Sequence, residues 1–479
     1  MTDSINLKPL IVDLDGSLIK TDLLYETFIK AFYAKPWIIF FVPLWVLSGK
    51  VRLKKELANI VDLKTQNLPW NQELVEYLSL QHAKGREIVL CTGSWHGLAK
   101  KVASHFDFFS DVYGTDDSVN LTGSEKAKFL LEKYGENEFA YVGNESKDLK
   151  VWRYADSAIL VADSGSLKNT VEKTCTLEKH ISSERKLSIK TILKQMRVHQ
   201  WVKNSLVFVP LVTSHQTNIE LLMMASLAFI AYSLCASATY IFNDLADLEA
   251  DRDHDRKKFR PLASGDLSIL QGVLISIVLL SASLLISLQI SVWFLWSLCA
   301  YIAITLSYSF KLKRMQTLDI TVLASLYTLR IISGAIAISL LPSFWLLAFS
   351  MFVFLCLAIV KRLSEIIKNK EKYADDTKIS GRGYYIADFH VLMSLATASG
   401  MLSILVFAMY INSPEVASLY SEPYALWLIC PLFAYWIIRV LIMASRGEID
   451  EDPIVFAIKD KRSWVTGAII FLIIVLSST

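Results

Sequence analysis

Cysteine, glycine and proline are all scarce in this chain of 479 residues, at 6, 18 and 11. The cysteines, at 91, 175, 235, 299, 356 and 430, have no close pairing, which argues against a disulfide scaffold and against a metal or redox site; they read as small apolar packing residues. Few glycines and prolines rule out a collagenous or low-complexity chain. An excess of one charge is missing too, since 49 Lys and Arg stand against 46 Asp and Glu. The net +3 carries no signature of a nucleic-acid or acidic partner, and no nucleic-acid partner is expected. Apolar residues, by contrast, are abundant. At 53% hydrophobic and a mean hydropathy of +0.40 the chain is too apolar for a soluble globule, while 20% charge is too much for a wholly membrane-embedded one. The two excesses must lie in different places, and the length already sets a prior of two or more domains.

Residues 1–190 hold 25 Lys/Arg and 25 Asp/Glu with short apolar runs, as a soluble α/β domain would. The opening MTDSINLKPL leads straight into a strand-like run, and no signal peptide is expected. Beyond about residue 205 come long apolar stretches at 221–242, 268–289, 291–309, 317–340, 343–360, 391–412, 424–443 and 463–478, most near the ~20 residues of a spanning helix. A weaker run at 202–213 makes nine. Apart from Arg330, Lys and Arg beyond residue 204 then fall in alternate loops: five in 243–265, three in 310–316, seven in 361–390 and five in 439–462, with none in the loops between. The positive-inside rule places those loops, and the N-terminal half with them, in the cytoplasm, which predicts a multi-pass protein of the cytoplasmic (inner) membrane. Trp201, Trp293, Trp345, Trp427 and Trp464 near span ends read as interfacial anchors.

In the N-terminal half, LIVDLDGSL reads as a buried strand ending in Asp13 and Asp15. Carboxylates two apart at a strand exit can face one Mg²⁺, one attacking phosphorus and the other handling the leaving-group proton; the bland reading is a strand followed by an Asp-Gly turn. Three further elements weigh against that bland reading. EIVLCTGS ends a second strand in Thr92, a hydroxyl able to hold a phosphoryl oxygen; Lys126 is a cation at a helix start; FAYVGNESKDL ends a third strand in the oxygen ligands Asn144 and Asp148. The order of these motifs resembles the haloacid dehalogenase superfamily of phosphohydrolases. The resemblance implies Asp13 as nucleophile, Asp15 as general acid/base, Lys126 in preference to Lys128 as charge clamp, and Mg²⁺ held by Asp13, Asp15, Asn144 and Asp148. Asn144 departs from the Asp that many members carry, and with one less negative charge it would hold the metal more weakly. A substrate-selecting cap is expected at about 20–85. Its run KPWIIFFVPLWVLSG (35–49) reads either as a re-entrant or interfacial membrane segment or as a cap helix buried in its own core.

In the membrane half, YIFNDLADLEADRDHDRKKFRPLASG (240–265) mixes six acids with its bases. Asn243, Asp247 and Asp251 are spaced i, i+4, i+8, so a continued helix would put their oxygens in one stripe for Mg²⁺ on a diphosphate, with Asp244 beside it and Lys258 and Arg260 within reach of phosphate oxygens. Acids at a membrane boundary are costly unless used. The segment resembles the UbiA superfamily of intramembrane prenyltransferases, and YSFKLKRMQTLDI (308–320), with Tyr308, Lys311 and Asp319, also fits that family. Where ordinary members carry a second Asp-rich motif this chain has Lys361, Arg362, Glu365 and Arg382. With QMRVHQWVKNSLVFVPL (195–211), bearing Lys203 and Asn204, and the late GEIDEDPIVFAIKDKRSW (447–464), the pattern looks like the decaprenyl-phosphate phosphoribosyltransferases. That resemblance implies phosphoribosyl diphosphate as donor, a polyprenyl phosphate as acceptor, Mg²⁺ and the leaving diphosphate on the acidic stripe, and the remaining phosphates on Lys203, Lys258, Arg260, Lys361 and Arg362. Arg330, about 11 residues and ~16 Å beyond Asp319, holds the acceptor phosphate or else pairs with Asp319 or a backbone carbonyl.

The expected fold is therefore an α/β Rossmann-like haloacid dehalogenase domain with a helical cap over 1–176, a charged linker at 177–194, and an all-α nine-helix transmembrane UbiA-type bundle over 195–479. The expected function is bifunctional: transfer of 5-phosphoribose to polyprenyl phosphate, followed by removal of the 5-phosphate. Against it stand a conventional prenyltransferase using polyprenyl diphosphate and an aromatic acceptor, a transporter with a regulatory domain, and an inactive phosphatase-like scaffold. Homo-oligomer formation is left open.

Overall fold

The computed structural model describes residues 7–183, 185, 188–216, 218–370, 374, 376–379, 382–449 and 452–478. Parts of the expected linker (184, 186, 187), of the basic loop (371–373, 375, 380, 381) and of the late motif (450, 451) lie outside them. The chain forms two compact units, Met1–Met196 with Tyr240–Ser276, and Arg197–Thr239 with Ile277–Thr479. The first differs from the expected division at 176 and 195 by taking in the Asp-rich segment.

The first unit is built on six parallel strands, β1 (Leu10–Val12), β2 (Ile88–Trp95), β3 (Asp111–Thr115), β4 (Ala140–Gly143), β5 (Ser157–Val161) and β6 (Thr176–Ile181), in the order β3-β2-β1-β4-β5-β6. Helices cover both faces, so the inner strands are continuous apolar runs with no polar alternation. Leu10, Val12, Ile88, Leu90, Ala140 and Val142 pack on one face, and Ile11, Val89, Cys91 and Tyr141 on the other. The order reverses at β1, whose neighbours are β2 and β4, and at such a switch point the strand C-termini open a crevice.

β6 lies where a linker was expected. Its sequence TLEKHI has no apolar bulk because it is an edge strand, pairing on one side only and mostly exposed. Arg86 fastens it, with its guanidinium 2.6 Å from Glu178. The helices of the 20–85 stretch do not share one core. Helices Leu23–Ala34, Pro36–Phe40, Val42–Leu47 and Lys50–Ile60 share a small core around Ala31, Ile38, Leu57 and Val61, but helix Gln72–Ala83 buries Leu74 and Leu78 in the sheet core instead.

The Asp-rich segment joins this unit through charges that no local pattern announces. Arg252 holds Glu26 of the Leu23–Ala34 helix by two bonds, at 2.6 and 3.1 Å, both side chains buried, and Lys30 pairs with Glu249 at 2.6 Å.

Among the described residues seven helices are long and apolar enough to cross a membrane: Ile219–Ala246, Ile269–Ile290, Val292–Phe310, Leu318–Ala337, Phe344–Lys370, Ile386–Ile411 and Pro423–Ser445. They match seven of the nine expected spans. The 202–213 run instead forms a 3-10 helix, Val198–Phe208, followed by the short helix Val209–Thr213, and the last expected span is the 18-residue helix Lys461–Ser478. Leu318–Ala337 is the most enclosed of the seven, and it carries both Asp319 and Arg330. At Gly334 a Cβ would stand 2.1 Å from the carbonyl oxygen of Val207. Only glycine permits that approach, which brings the Val198–Phe208 segment against the helix.

Candidate functional site

Three clusters of polar side chains gather residues far apart in the chain. The first stands at the C-terminal edge of the sheet. Asp13 follows β1 directly, its backbone N–H bonded to the carbonyl of Val142 on β4. Lys126, buried in the first turn of helix Ser124–Tyr134, places its Nζ 2.6 Å from Asp13 Oδ1. Lys128 points away to Glu125. Asp15 accepts from Ser94 Oγ at 2.7 Å, from Thr92 Oγ1 at 3.3 Å and from the backbone N–H of Leu23 at 2.9 Å. Asp148 accepts from the backbone N–H groups of Asn144 and Glu145 and from Tyr141, whose hydroxyl also accepts from Lys126 at 3.0 Å. Between them Gly16 turns at φ +77°, and a Cβ there would sit 2.3 Å from the Asn144 amide. The turn thus needs glycine twice over, for its backbone and for contact with Asn144.

So Asp13, Asp15, Thr92, Lys126, Asn144 and Asp148 come together, joined by Ser94 and Tyr141, which the sequence reading missed. Ser94 had a signal: two residues beyond Thr92 on one strand, it points to the same side. Tyr141 had none, because a buried strand tyrosine looks like core. Burial pushes the Asp13 carboxyl up to about 7, against the pull of Lys126 and with the repulsion of Asp148 and Asp15. Asp15 is likewise raised to about 7, by burial and then by Asp22. Burial alone would lower Lys126, but Asp13 and its neighbours outweigh it and hold the ammonium above its ordinary value.

The second cluster is the Asp-rich segment. The expected single helix through Asn243, Asp247 and Asp251 is interrupted: helix Ile219–Ala246 stops, Asp247 takes φ −97°, ψ 15°, and a new short helix, Leu248–Arg252, begins. Backbone bonds from Asp247 to Asn243 and from Asp251 to Asp247 keep the winding nearly helical. The closest carboxylates are Asp244 and Asp251, both buried and bridged by Arg260 at 3.1 and 2.5 Å, with Gln195 donating to Asp244 at 2.8 Å. Asn243 and Asp247 are half-buried. Burial pushes the Asp251 carboxyl up, against Arg260. Lys258 is not gathered in; it is exposed, its ammonium 5.5 Å from the Phe259 ring, because a hydrated ammonium on a flexible stem stays in water unless a carboxylate draws it in.

The third cluster lies in the other unit and has two parts. Asp452 accepts from Lys203 at 2.7 Å, Lys361 at 3.1 Å and Tyr327 at 3.1 Å. Two ammonium groups on one carboxylate leave a surplus positive charge. Tyr327 also presents its ring to Arg330, which lies near the rings of Tyr232 and Tyr301 and donates to Asn204 at 2.9 Å and to the Leu326 carbonyl at 2.6 Å. Arg330 thus has a backbone-carbonyl partner, and Asp319 pairs with Arg362. In the second part Arg362 pairs with Asp319 and Glu365, both at 2.5 Å, Tyr308 bridges Asp319 and Arg362, and Arg382 reaches Glu365 at 3.3 Å. Two cations and two anions balance there. Lys311, exposed at the end of helix Val292–Phe310, joins neither part. Asp452 was missed as a site residue; its one signal was an acid directly before a proline that starts a helix.

Among the described residues no three Asp, Glu, His or Cys side chains stand close enough to form a metal cage. The donors present are oxygens in ones and twos. That suits Mg²⁺, which takes one or two carboxylates and completes its shell with water and substrate phosphate, better than it suits Zn²⁺.

Residues 205–473 match the UbiA prenyltransferase family. The chain is 36% identical over 467 residues to uncharacterized protein y4nM of Sinorhizobium fredii, covering 96% of this chain and 89% of that one. It is 35% identical over 180 residues to a decaprenyl-phosphate phosphoribosyltransferase of Mycobacterium tuberculosis, covering 36% of this chain and 60% of that protein. A solved UbiA homolog from Archaeoglobus fulgidus, bound to GPP and Mg²⁺, is similar over 59% of this chain and 99% of its own, at 18% identity and a TM-score of 0.45. With more than half of its length matched by that family and a relative that spans nearly all of it, the chain belongs to the UbiA prenyltransferase family.

Proposed function

We propose that the membrane half, with its Asp-rich segment, transfers 5-phosphoribose from phosphoribosyl diphosphate to a polyprenyl phosphate, and that the α/β domain, as a haloacid dehalogenase-type phosphatase, removes the 5-phosphate. The observation that carries the transferase reading is the pairing of Lys203 and Lys361 on the single carboxylate of Asp452. A prenyl diphosphate held between magnesium ions calls for acids on both sides. A surplus cation suits a second phosphorylated substrate bound without a metal.

Loss of diphosphate from the anomeric carbon builds positive charge on the sugar and negative charge on the leaving group. Asp244, Asp247 and Asp251, with Asn243, would hold Mg²⁺, which neutralises the leaving diphosphate. Arg260 bridges two of those carboxylates and fixes their spacing. Lys203 and Lys361 bind an anionic substrate oxygen, and Arg362 and Arg382, balanced by Asp319 and Glu365, stiffen the wall beside it. The acceptor phosphate is already anionic, so no general base is required and inversion at the anomeric carbon is expected.

In the α/β domain Asp13 attacks phosphorus and forms an aspartyl phosphate. Asp15 gives its proton to the departing ribose oxygen and takes one back from the water that hydrolyses the intermediate. A carboxyl raised to about 7 is matched to that exchange near neutral pH. Lys126 offsets charge on the transferred group, and Asp13, Asn144 and Asp148 supply oxygens for Mg²⁺.

On this reading the Lys- and Arg-rich loops face the cytoplasm, and the 198–213 and 461–478 segments complete a nine-helix bundle. The test is purified full-length protein with labelled phosphoribosyl diphosphate, polyprenyl phosphate and Mg²⁺. A lipid-linked phosphoribose that matures to lipid-linked ribose is the expected product. Consumption of polyprenyl diphosphate with an aromatic acceptor, and none of phosphoribosyl diphosphate, would overturn the reading.

A further inference from the structure

Between Thr27 and Lys55 the sequence has six cations and no acid, and in their midst lies an apolar run that the proposed chemistry does not use. It folds as two short helices, Pro36–Phe40 and Val42–Leu47. Only Ile38 is buried, and Trp45 leans on the same small core. The other large side chains point outward: Trp37 is 57% exposed, Phe40 77%, Leu44 58% and Leu47 85%, with Ile39, Phe41 and Val46 exposed beside them. Single exposed apolar residues are ordinary on protein surfaces. Seven within eleven positions make a contiguous patch of the kind that marks an interaction site.

We propose that this segment is a bilayer-contact element, by which the α/β domain seats Trp37, Phe40, Leu44 and Leu47 among the acyl chains of an anionic membrane surface. Residues 36–47, with eleven residues in two short helices, are too few to span, since a crossing needs ~20, so the segment lies in the interface. The polar residues at its ends fit that depth. Lys35 precedes it, and Lys50 and Arg52 follow it, all exposed and placed to meet lipid phosphates. The cap core around Ala31, Leu57 and Val61 holds the two helices from behind, so the apolar side chains are displayed in the folded domain. A bilayer is always at hand, because the same chain carries seven helices able to cross one.

The proposal does not depend on either catalytic activity, and its test reads contact directly. Full-length protein is reconstituted in bilayers containing a phospholipid with a photoreactive acyl chain, irradiated and mapped by peptide mass spectrometry. Adducts are expected in residues 36–47 as well as in the spans, with a yield in 36–47 that rises when anionic lipid replaces zwitterionic lipid. In the Phe40→Glu/Leu47→Glu double variant the 36–47 adducts should fall about tenfold while those in the spans are unchanged. Adducts confined to the spans in the unsubstituted protein would overturn the proposal. Cross-links from 36–47 to a second copy of the chain, in place of lipid adducts, would overturn it as well and assign the patch to a protein interface.

Discussion

The two units handle buried charge in opposite ways. In the α/β unit, Asp13, Asp15 and Asp148 gather at one sheet edge with Lys126, and burial first, then neighbouring carboxylates, raises Asp13 and Asp15. In the other unit Arg362, Arg382, Asp319 and Glu365 balance, and the nearby surplus is positive, two lysines on Asp452. On the proposed function, the difference tracks what each site meets. A cluster short of positive charge is completed by a cation, whereas a cluster with a spare ammonium is completed by an anion. The balanced set supports the site and is not consumed by it, because a buried ion pair contributes little net stability when intact but is costly to break from one side.

The largest effects are expected from removing one key carboxylate from each proposed site, Asp13 at the sheet edge and Asp247 in the Asp-rich segment of the same unit. Asp13→Asn should lower phosphate release by at least ~10³-fold and leave sugar transfer intact, whereas Asp247→Ala should abolish transfer and leave phosphatase activity. Loss of both activities in either variant would mean that the sites are not chemically separate. Next, Arg362→Met should destabilise the protein by about 3–5 kcal/mol in detergent melts, since Asp319 is left buried without its closest cation; adding Asp319→Leu should recover part of the loss. If the single variant melts normally, the balanced set is not structural.

A comparable cost, nearer ~3 kcal/mol, is expected for Glu26→Ala, which strands Arg252 of the Asp-rich segment, and the reversed pair Glu26→Arg/Arg252→Glu should restore some of it. The smallest effect belongs to the sheet edge. Glu178→Gln should cost about 1–2 kcal/mol, read from denaturant unfolding. Burial pushes the Glu178 carboxyl up, but hydrogen bonds from Arg86, Tyr77 and Ser157 outweigh it and hold it below its ordinary value. Its contribution is therefore complete above pH 4.5 and is lost as the pH falls through that lowered value. The Gln variant should lack this part of the acid sensitivity, and an identical pH profile in both proteins would refute the assignment.

Much of the first cluster could be read in advance, because residues toward the C-terminal ends of strands in a parallel sheet share one edge: Asp13, Thr92 and Asn144 each follow an apolar run, although β2 continues past Thr92 to Trp95. Tyr141 is bound to that cluster by contacts that no spacing reveals, whereas Ser94 is marked by its two-residue spacing from Thr92. The Asp-rich stripe was legible in composition but not in shape, since the break at Asp247 and the bridge through Arg260 depend on packing around the segment. β6 was hidden because an edge strand needs no apolar alternation. In the membrane unit the long helices could be read from hydropathy, while the partners of Lys203, Asn204 and Arg330 could not. Asp452 lies 249 residues from Lys203, and nothing local links them.

By itself the sequence determined the two halves of the chain: an α/β half whose apolar runs end in carboxylates, and a membrane half with its charges in alternate loops. Both are local properties, fixed by periodicity and by the cost of placing charge in lipid. Only the tertiary structure decided which charges pair. Arg252 goes to Glu26, Arg330 to a carbonyl and an amide, Arg362 to Asp319, and two lysines to Asp452. Each choice is made where burial removes water as the alternative partner, so the nearest group of opposite charge or matching dipole prevails, and chain folding alone sets which group is nearest.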